Sequence, residues 1–450
     1  MQPSKTLDHA PTSAPAPALT PAPAPALITN ASGTHWPPDA RFWSQFAELT
    51  AEGRRPHLFK GLLPPDFPGA AEIDGLLRRV HGEPEERRKL RLYVGNDLRR
   101  DLVDRFHSAP LAAGCSAFEA MQHAVDEQRL CIVLNETQIW SEALLRASGC
   151  FLESLYAARG MPPGGSELVL FAGNYAGTAF GVHRGYEHAF LLHLGPGKKL
   201  FHLWPAERYA DLTGGYRDVP DCEPLLHAAD TVTLEPGDAL YLPALWFHIG
   251  TQDTYSASVA ISLYDYSPEV WLARQLSTLS KRLTQNAFLI DHPNDPGHPE
   301  RATPYLPATT DANPFADFAS RAAALVAERV VPELAEQHWF RRRSNAGFGP
   351  GPSVQPPVRA LEAHSRVRLL DPFRCCYAKN GAQMSVYLRG QQITLRDDPR
   401  LPLLLDRLNA ERSMTLSQAG ALLEDAWSSD ALVGFFGALQ RTGGLDVVRV

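Results

Sequence analysis

Between residues 167 and 264 the chain is written as short apolar runs separated by glycine and proline, and that rhythm restricts the folds open to it. Residues 167–171 end at Ala172-Gly173-Asn174. Residues 189–194 turn through Gly195-Pro196-Gly197 into 198–204. Residues 230–234 pass through Glu235-Pro236-Gly237-Asp238 into 239–242, and 256–264 alternate along their length. Runs of this length between turn residues predict strands. No helical stretch separates them, so the block predicts an antiparallel sandwich or barrel.

The flanks read differently. Residues 39–52, 71–80 and 115–128 carry apolar residues at spacings of three and four, the pattern of helices with one buried face. Residues 84–92 are charge-rich, with Pro84 placed as at a helix's first turn. Together they predict a helical lead-in to the sheet. Residues 1–36 form a tail dense in proline and alanine from Pro11 to Pro25, which predicts an extended, solvated segment. After the strands, 268–285 reads as a helix with Val270, Leu272, Leu276 and Leu279 on its apolar positions, and Asn313-Pro314 opens a second running to about His338. A Gly/Pro-rich linker occupies 346–364. Residues 365–450 form a compact unit with a hairpin about Arg389-Gly390, a helix capped by Thr415, and another stopped at Gly443-Gly444. The class is α+β, with a domain over 37–267, a helical region over 268–345 and a terminal domain over 365–450.

Charge and cysteine content narrow the function classes. The net charge is −7, which gives no overall pull toward nucleic acid or an anionic membrane. Residues 365–450 hold eleven Lys/Arg against nine Asp/Glu without a basic run, so the electrostatic footprint of DNA binding is missing and a protein or peptide partner is expected. Six scattered cysteines lack metal-binding spacing and fit a reducing, cytoplasmic setting. No apolar run approaches the ~18–20 residues of a membrane span, and the N-terminus lacks the basic-then-apolar order of a secretion signal.

Two histidines stand inside longer patterns. His183 follows Gly181 at the start of a strand-like run, and His248 follows the Pro236-Gly237-Asp238 turn and the pair Trp246-Phe247. Imidazoles on facing strands make a metal site, for which two histidines and one carboxylate are the template. His193 and His202 stand alone and read as ordinary strand residues.

The run His183-x-Gly185-x4-Phe190-x6-Gly197-x-Lys199-x-Phe201, with Pro236-Gly237-Asp238 and His248 downstream, resembles the JmjC-domain hydroxylases, and among them the ribosomal oxygenases. The resemblance covers roughly 165–265 and, more loosely, the rest of the ordered chain. It implies the double-stranded β-helix of the cupins, Fe(II) on His183 and His248, and 2-oxoglutarate with its far carboxylate on the lysine of the Gly-x-Lys strand. Counting from Gly197 gives Lys199; counting from His183 favours Lys198. Tyr175, Thr178 and Ser262 are expected to line the cosubstrate pocket. The helices of 268–345 resemble that family's dimerisation region, implying a homodimer. Residues 365–450 resemble its terminal winged helix, and the implied substrate is a side chain of a protein or peptide.

One departure matters. The family pattern has an acid two residues after the first histidine, and this chain has Gly185. Three outcomes are open: Glu187 serves as the third ligand; the position stays open to water or chloride, as in the non-haem iron halogenases; or catalysis is lost and a protein-binding module remains.

Overall fold

The computed structural model describes residues 27–448, apart from 113, 178–179, 290–318, 321–322, 325, 352–358, 363 and 425. Its centre is two facing sheets. The larger has nine strands, in the order Ile28–Asn30, His57–Lys60, Ala239–Leu242, His188–Pro196, Ser256–Leu263, Ser166–Gly173, Cys131–Leu134, Leu90–Val94 and Asp97–Leu98. The smaller has four: Asp230–Leu234, Lys199–Trp204, Phe247–Thr251 and His183–Arg184. Apart from the parallel pair Ile28–Asn30 with His57–Lys60, every pairing in these sheets is antiparallel, as the strand rhythm predicts.

Strand alternation divides the interior in two. Along Ser166–Gly173, Leu168, Leu170 and Ala172 face the helices, while Val169 and Phe171 face the smaller sheet. Phe190 and Leu192 against Leu191, and Val259 and Ile261 against Ala260, repeat the division on the neighbouring strands. Both faces are therefore buried, each large side chain contributing about 1.5–3 kcal/mol. The inter-sheet layer joins Val169, Leu191 and Ala260 to Phe201, Leu203, Val232 and Leu234. The outer layer is packed by helices Ala40–Leu49, Ala70–His81, Ala117–Val125 and Glu142–Arg159. Two of their starts are fixed by side-chain caps of different kinds: Asp39 accepts from the Phe42 amide at 2.9 Å, and Ser116 and Glu119 form a reciprocal capping box.

Several expectations need correction. The lead-in is not purely helical: His57–Lys60, Leu90–Val94 and Cys131–Leu134 are strands that widen the main sheet. Residues 84–92 make only a 3-10 turn, Pro84–Lys89, before Leu90 enters its strand. The supposed tail ends in a strand, Ile28–Asn30; its first 26 residues lie outside the described set. The start of the supposed linker is packed, with Ala346 and Phe348 fully buried. Helix Pro268–Leu289 forms as expected, but Asn313-Pro314 falls outside the described residues, and the next described helical stretch ends in Val331–Arg343.

The C-terminal part holds two three-stranded sheets and helices Leu401–Glu411, Leu416–Leu422 and Ser429–Arg441. The hairpin turns at Arg389-Gly390, both with positive φ, as expected. This part is fastened to helix Glu142–Arg159: Arg389 pairs with Glu142, and Glu153 receives both Arg343 and Arg374.

Candidate active site

The site lies at one open end of the inter-sheet layer. His183 and His248 are directly opposite each other on adjacent antiparallel strands, with ring centroids 4.5 Å apart. Each ring is held the same way: His183 Nδ1 is 3.0 Å from Gly181 O, and His248 Nδ1 is 3.0 Å from Trp246 O. A carbonyl can only accept, so each Nδ1 carries the proton and each Nε2 keeps its lone pair. Neither Nε2 has a hydrogen-bond partner among the described residues, and both rings line one cavity of about 290 Å³. Gly181 makes this possible. Its φ is +66°, and a Cβ there would sit 2.3 Å from Val219 O, so a side chain is excluded where the chain turns to present its carbonyl.

Burial holds both imidazoles neutral. His248 is pushed down to about 3, first by burial and then by the neighbouring His183; His183 is lowered by burial, partly offset by its bond to Gly181. They are lone-pair donors throughout the physiological range.

Lys199 reaches the same cavity. Its side chain is fully buried, its Nζ donates to Tyr175 Oη at 2.9 Å, and the rings of Phe171, Tyr175 and Phe201 surround the ammonium at 5.4–5.7 Å. No carboxylate pairs with it among the described residues, and burial lowers it to about 8. Gly250 gives it passage, since a Cβ there would lie 2.7 Å from Lys199 Cε and 2.8 Å from the Phe201 ring. Lys198 points away, exposed and paired with Glu235 at 2.9 Å. Of the two lysines, only Lys199 lines the cavity with the histidines.

Among the remaining expected residues, Ser262 lines the cavity from the main sheet, whereas Tyr175 does not line it and is tied to it only as the acceptor of the Lys199 hydrogen bond. Tyr175 is itself fixed, its carbonyl accepting from the Gln252 amide at 2.9 Å. Thr178 lies outside the described residues. His193 is structural: fully buried, it bridges Ser258 Oγ and Gly197 O across the turn, and His202 meets Thr231 Oγ1. Arg91 and Asn135 also line the cavity, joined at 2.7 Å, with Asn135 held in turn by Glu167 at 3.1 Å. They arrive on or beside strands Leu90–Val94 and Cys131–Leu134, which sequence periodicity had not revealed.

Gly185 sits at the end of its strand, and residues 186–187 bend before the next begins, so simple alternation does not relate Gly185 to Glu187. Glu187 nonetheless lines the cavity. As placed, no third His, Cys, Asp or Glu joins the two histidines in a cluster able to hold a metal, among the described residues.

This arrangement of two facing histidines on short antiparallel strands, with a buried lysine beside them, coincides with a family match: residues 167–269 match the JmjC domain. The chain carries a JmjC domain. Solved structures resemble it well beyond that span. The structure of YcfD from Escherichia coli has a TM-score of 0.53 at 17% identity, covering 90% of this chain and 98% of that one. Two more structures of YcfD, a ribosomal oxygenase, hold cobalt with succinic acid (TM-score 0.51, 16% identity, 90% and 98% covered) and cobalt with 2-oxoglutarate (0.52, 15%, 90% and 98%). At such identities the likeness is one of fold, and it reaches past the JmjC domain into the helical and C-terminal parts. No curated protein matches the chain. No helix among the described residues is long and apolar enough to cross a membrane.

Proposed function

We propose that this chain is an Fe(II)- and 2-oxoglutarate-dependent oxygenase acting on a side chain of a protein or peptide. The observation that carries the reading is one cavity holding two imidazoles whose Nε2 atoms, and a fully buried ammonium whose charge, have no partner of opposite kind among the described residues. A buried cation of that kind is costly unless an anion joins it, and the far carboxylate of 2-oxoglutarate would supply one.

The residues fit the cofactor pair. His183 and His248 would hold the metal, each oriented by a backbone carbonyl. Lys199, positioned by Tyr175, would take the far carboxylate, with Ser262 lining the same cavity. When bound, Fe(II) and 2-oxoglutarate supply oxidative decarboxylation and the hydrogen abstraction that leads to hydroxylation. The chain's own work is to keep the imidazoles neutral, hold an ammonium at Lys199 for the cosubstrate's far carboxylate, and line the cavity with Phe171, Phe180 and Phe201.

A polypeptide substrate suits the rim. Tyr186, 75% exposed, and Tyr216 flank Arg184 near the mouth, and aromatic residues with arginine are the side chains that protein interfaces favour. YcfD's description as a ribosomal oxygenase agrees with a protein target met in the cytoplasm. Exposed Val270, Leu272, Leu276 and Trp339, on helices Pro268–Leu289 and Val331–Arg343, suit a homodimer. The strand at Ser413–Thr415, the two helices after it and the strand Leu445–Val448 suit a winged-helix domain used for protein contact.

The reading is tested by succinate release from 2-oxoglutarate under air with Fe(II), for the wild type, Lys199→Met and His248→Ala. It expects turnover in the wild type alone. Equal turnover in all three, or none in any despite iron binding, would sink it.

A further inference from the structure

Three observations bear on the acid that Gly185 lacks. First, nothing in the backbone demands glycine there. Its φ is outside the left-handed region, and an added Cβ would meet only ordinary contacts, so neither strain nor crowding accounts for the absent side chain. Second, the group facing that space is a carboxylate: Glu187 Cδ and Oε2 each lie 3.6 Å from where the Cβ would be. Third, the Glu187 carboxylate makes no hydrogen bond or ion pair with a described residue, although it lines the cavity. A half-buried carboxylate that lines the same cavity as the two histidines and has no partner among the described residues lacks the cation that would offset its burial.

Two acids reach His183 with their charge, Asp218 ahead of Glu187, but Asp218 is exposed and does not line the cavity. An open position awaiting halide is also disfavoured, because a chloride placed there would face the Glu187 carboxylate at short range, and like charges repel most strongly where water is scarce.

We propose that Glu187 supplies the carboxylate missing at Gly185 and completes, with His183 and His248, a metal site of His-x3-Glu spacing. The absence of a side chain at 185 is what clears the path: a rotation of the Glu187 side chain brings its oxygens into the space an acid at 185 would fill. The proposal rests on the metal reading of the two histidines, and deepens it.

The test uses Co(II) as the probe, in chloride-free buffer, followed by calorimetry and by the visible d–d bands. The full-length wild type is compared with Glu187→Gln, His183→Ala, His248→Ala and the double variant Gly185→Asp/Glu187→Gln. The expected result is roughly tenfold or greater loss of affinity in Glu187→Gln, with changed band intensity, and recovery in the double variant, which moves the acid back to the family's position. Glu187 has no other side-chain partner among the described residues, so the single variant is expected to fold as the wild type does. Affinity within about threefold of wild type in Glu187→Gln, or binding tightened by added chloride, overturns the proposal and leaves the position open to halide or water. Should the wild type take no cobalt, or the histidine variants take it equally well, the metal reading fails and Glu187 falls with it. Loss in the histidine variants alone removes only Glu187.

Discussion

Replacing Lys199 with methionine separates a functional cation from a structural one. The methionine keeps the length and apolar stem and removes the charge. Burial lowers Lys199 from 10.5 to about 8, and at 1.36 kcal/mol per unit that places about 3 kcal/mol of strain on the charged form at neutral pH. The sign follows from the lowered value: the strain is fully present below pH 8 and fades as pH rises toward 10.5, where the unfolded chain also loses its proton. Lys199→Met removes it, but leaves Tyr175 Oη short of a partner, at about 1–3 kcal/mol. The metal-free protein is therefore expected to be as stable as wild type, or up to about 2 kcal/mol more stable. Binding of 2-oxoglutarate moves the opposite way. Truncating one partner of a buried charge pair costs about 2–5 kcal/mol, roughly 30-fold to several thousand-fold in affinity. Thermal shift of the metal-free protein and calorimetry with the Mn(II)-loaded protein give the two readouts. A variant that is less stable yet binds 2-oxoglutarate normally would refute the reasoning, since it would make Lys199 a structural residue.

Other consequences follow from the same geometry. Tyr175→Phe removes one hydrogen bond from the Lys199 ammonium and is expected to weaken 2-oxoglutarate binding by about 3- to 10-fold, measured by the same calorimetry. Gly250→Ala puts a Cβ 2.7 Å from Lys199 Cε and should lower the melting temperature, by an overpacking penalty of about 1–3 kcal/mol, whereas Gly185→Ala meets only contacts of 3.5 Å and beyond and should leave it unchanged. His248, lowered to about 3, and His57 and His193, lowered to about 4, stay neutral in the fold while the unfolded chain takes protons below about 6.5. The metal-free protein should therefore lose stability as pH falls from 6.5 toward 4, and His193→Gln should shrink that loss in a denaturation series across pH.

Much of this was legible before the structure, and what was not has physical causes. The strands Asp230–Leu234 and Ala239–Leu242 matched their turn chemistry because Pro236 and Gly237 fixed the junction between them. His183 and His248 were legible because each is embedded in a turn-and-strand pattern, while His193, fully buried, serves only to tie a turn. Leu90–Val94 and Cys131–Leu134 escaped notice because both are short, the charged run before Leu90 reads as helix, and packing on both faces leaves Cys131–Leu134 without alternation. With them went Arg91 and Asn135, polar residues whose place in the cavity depends on long-range pairing rather than on any local motif. The choice between Lys198 and Lys199 also needed three dimensions: one residue's shift turns a strand side chain from cavity to solvent. Ala346–Phe348 read as linker because its glycine content is that of a loop, yet Gly347 is there so that the chain can press against Tyr156.

The central claim is that His183, His248 and Lys199 form one site for Fe(II) and 2-oxoglutarate. Anaerobic titration of the full-length protein with both tests it most directly, through the visible metal-to-ligand charge-transfer band of the chelate. The account predicts a saturable band in the wild type, loss of it in His183→Ala and His248→Ala, and a much higher 2-oxoglutarate requirement in Lys199→Met. A wild type that develops no band while Fe(II) and 2-oxoglutarate are both in excess would contradict it.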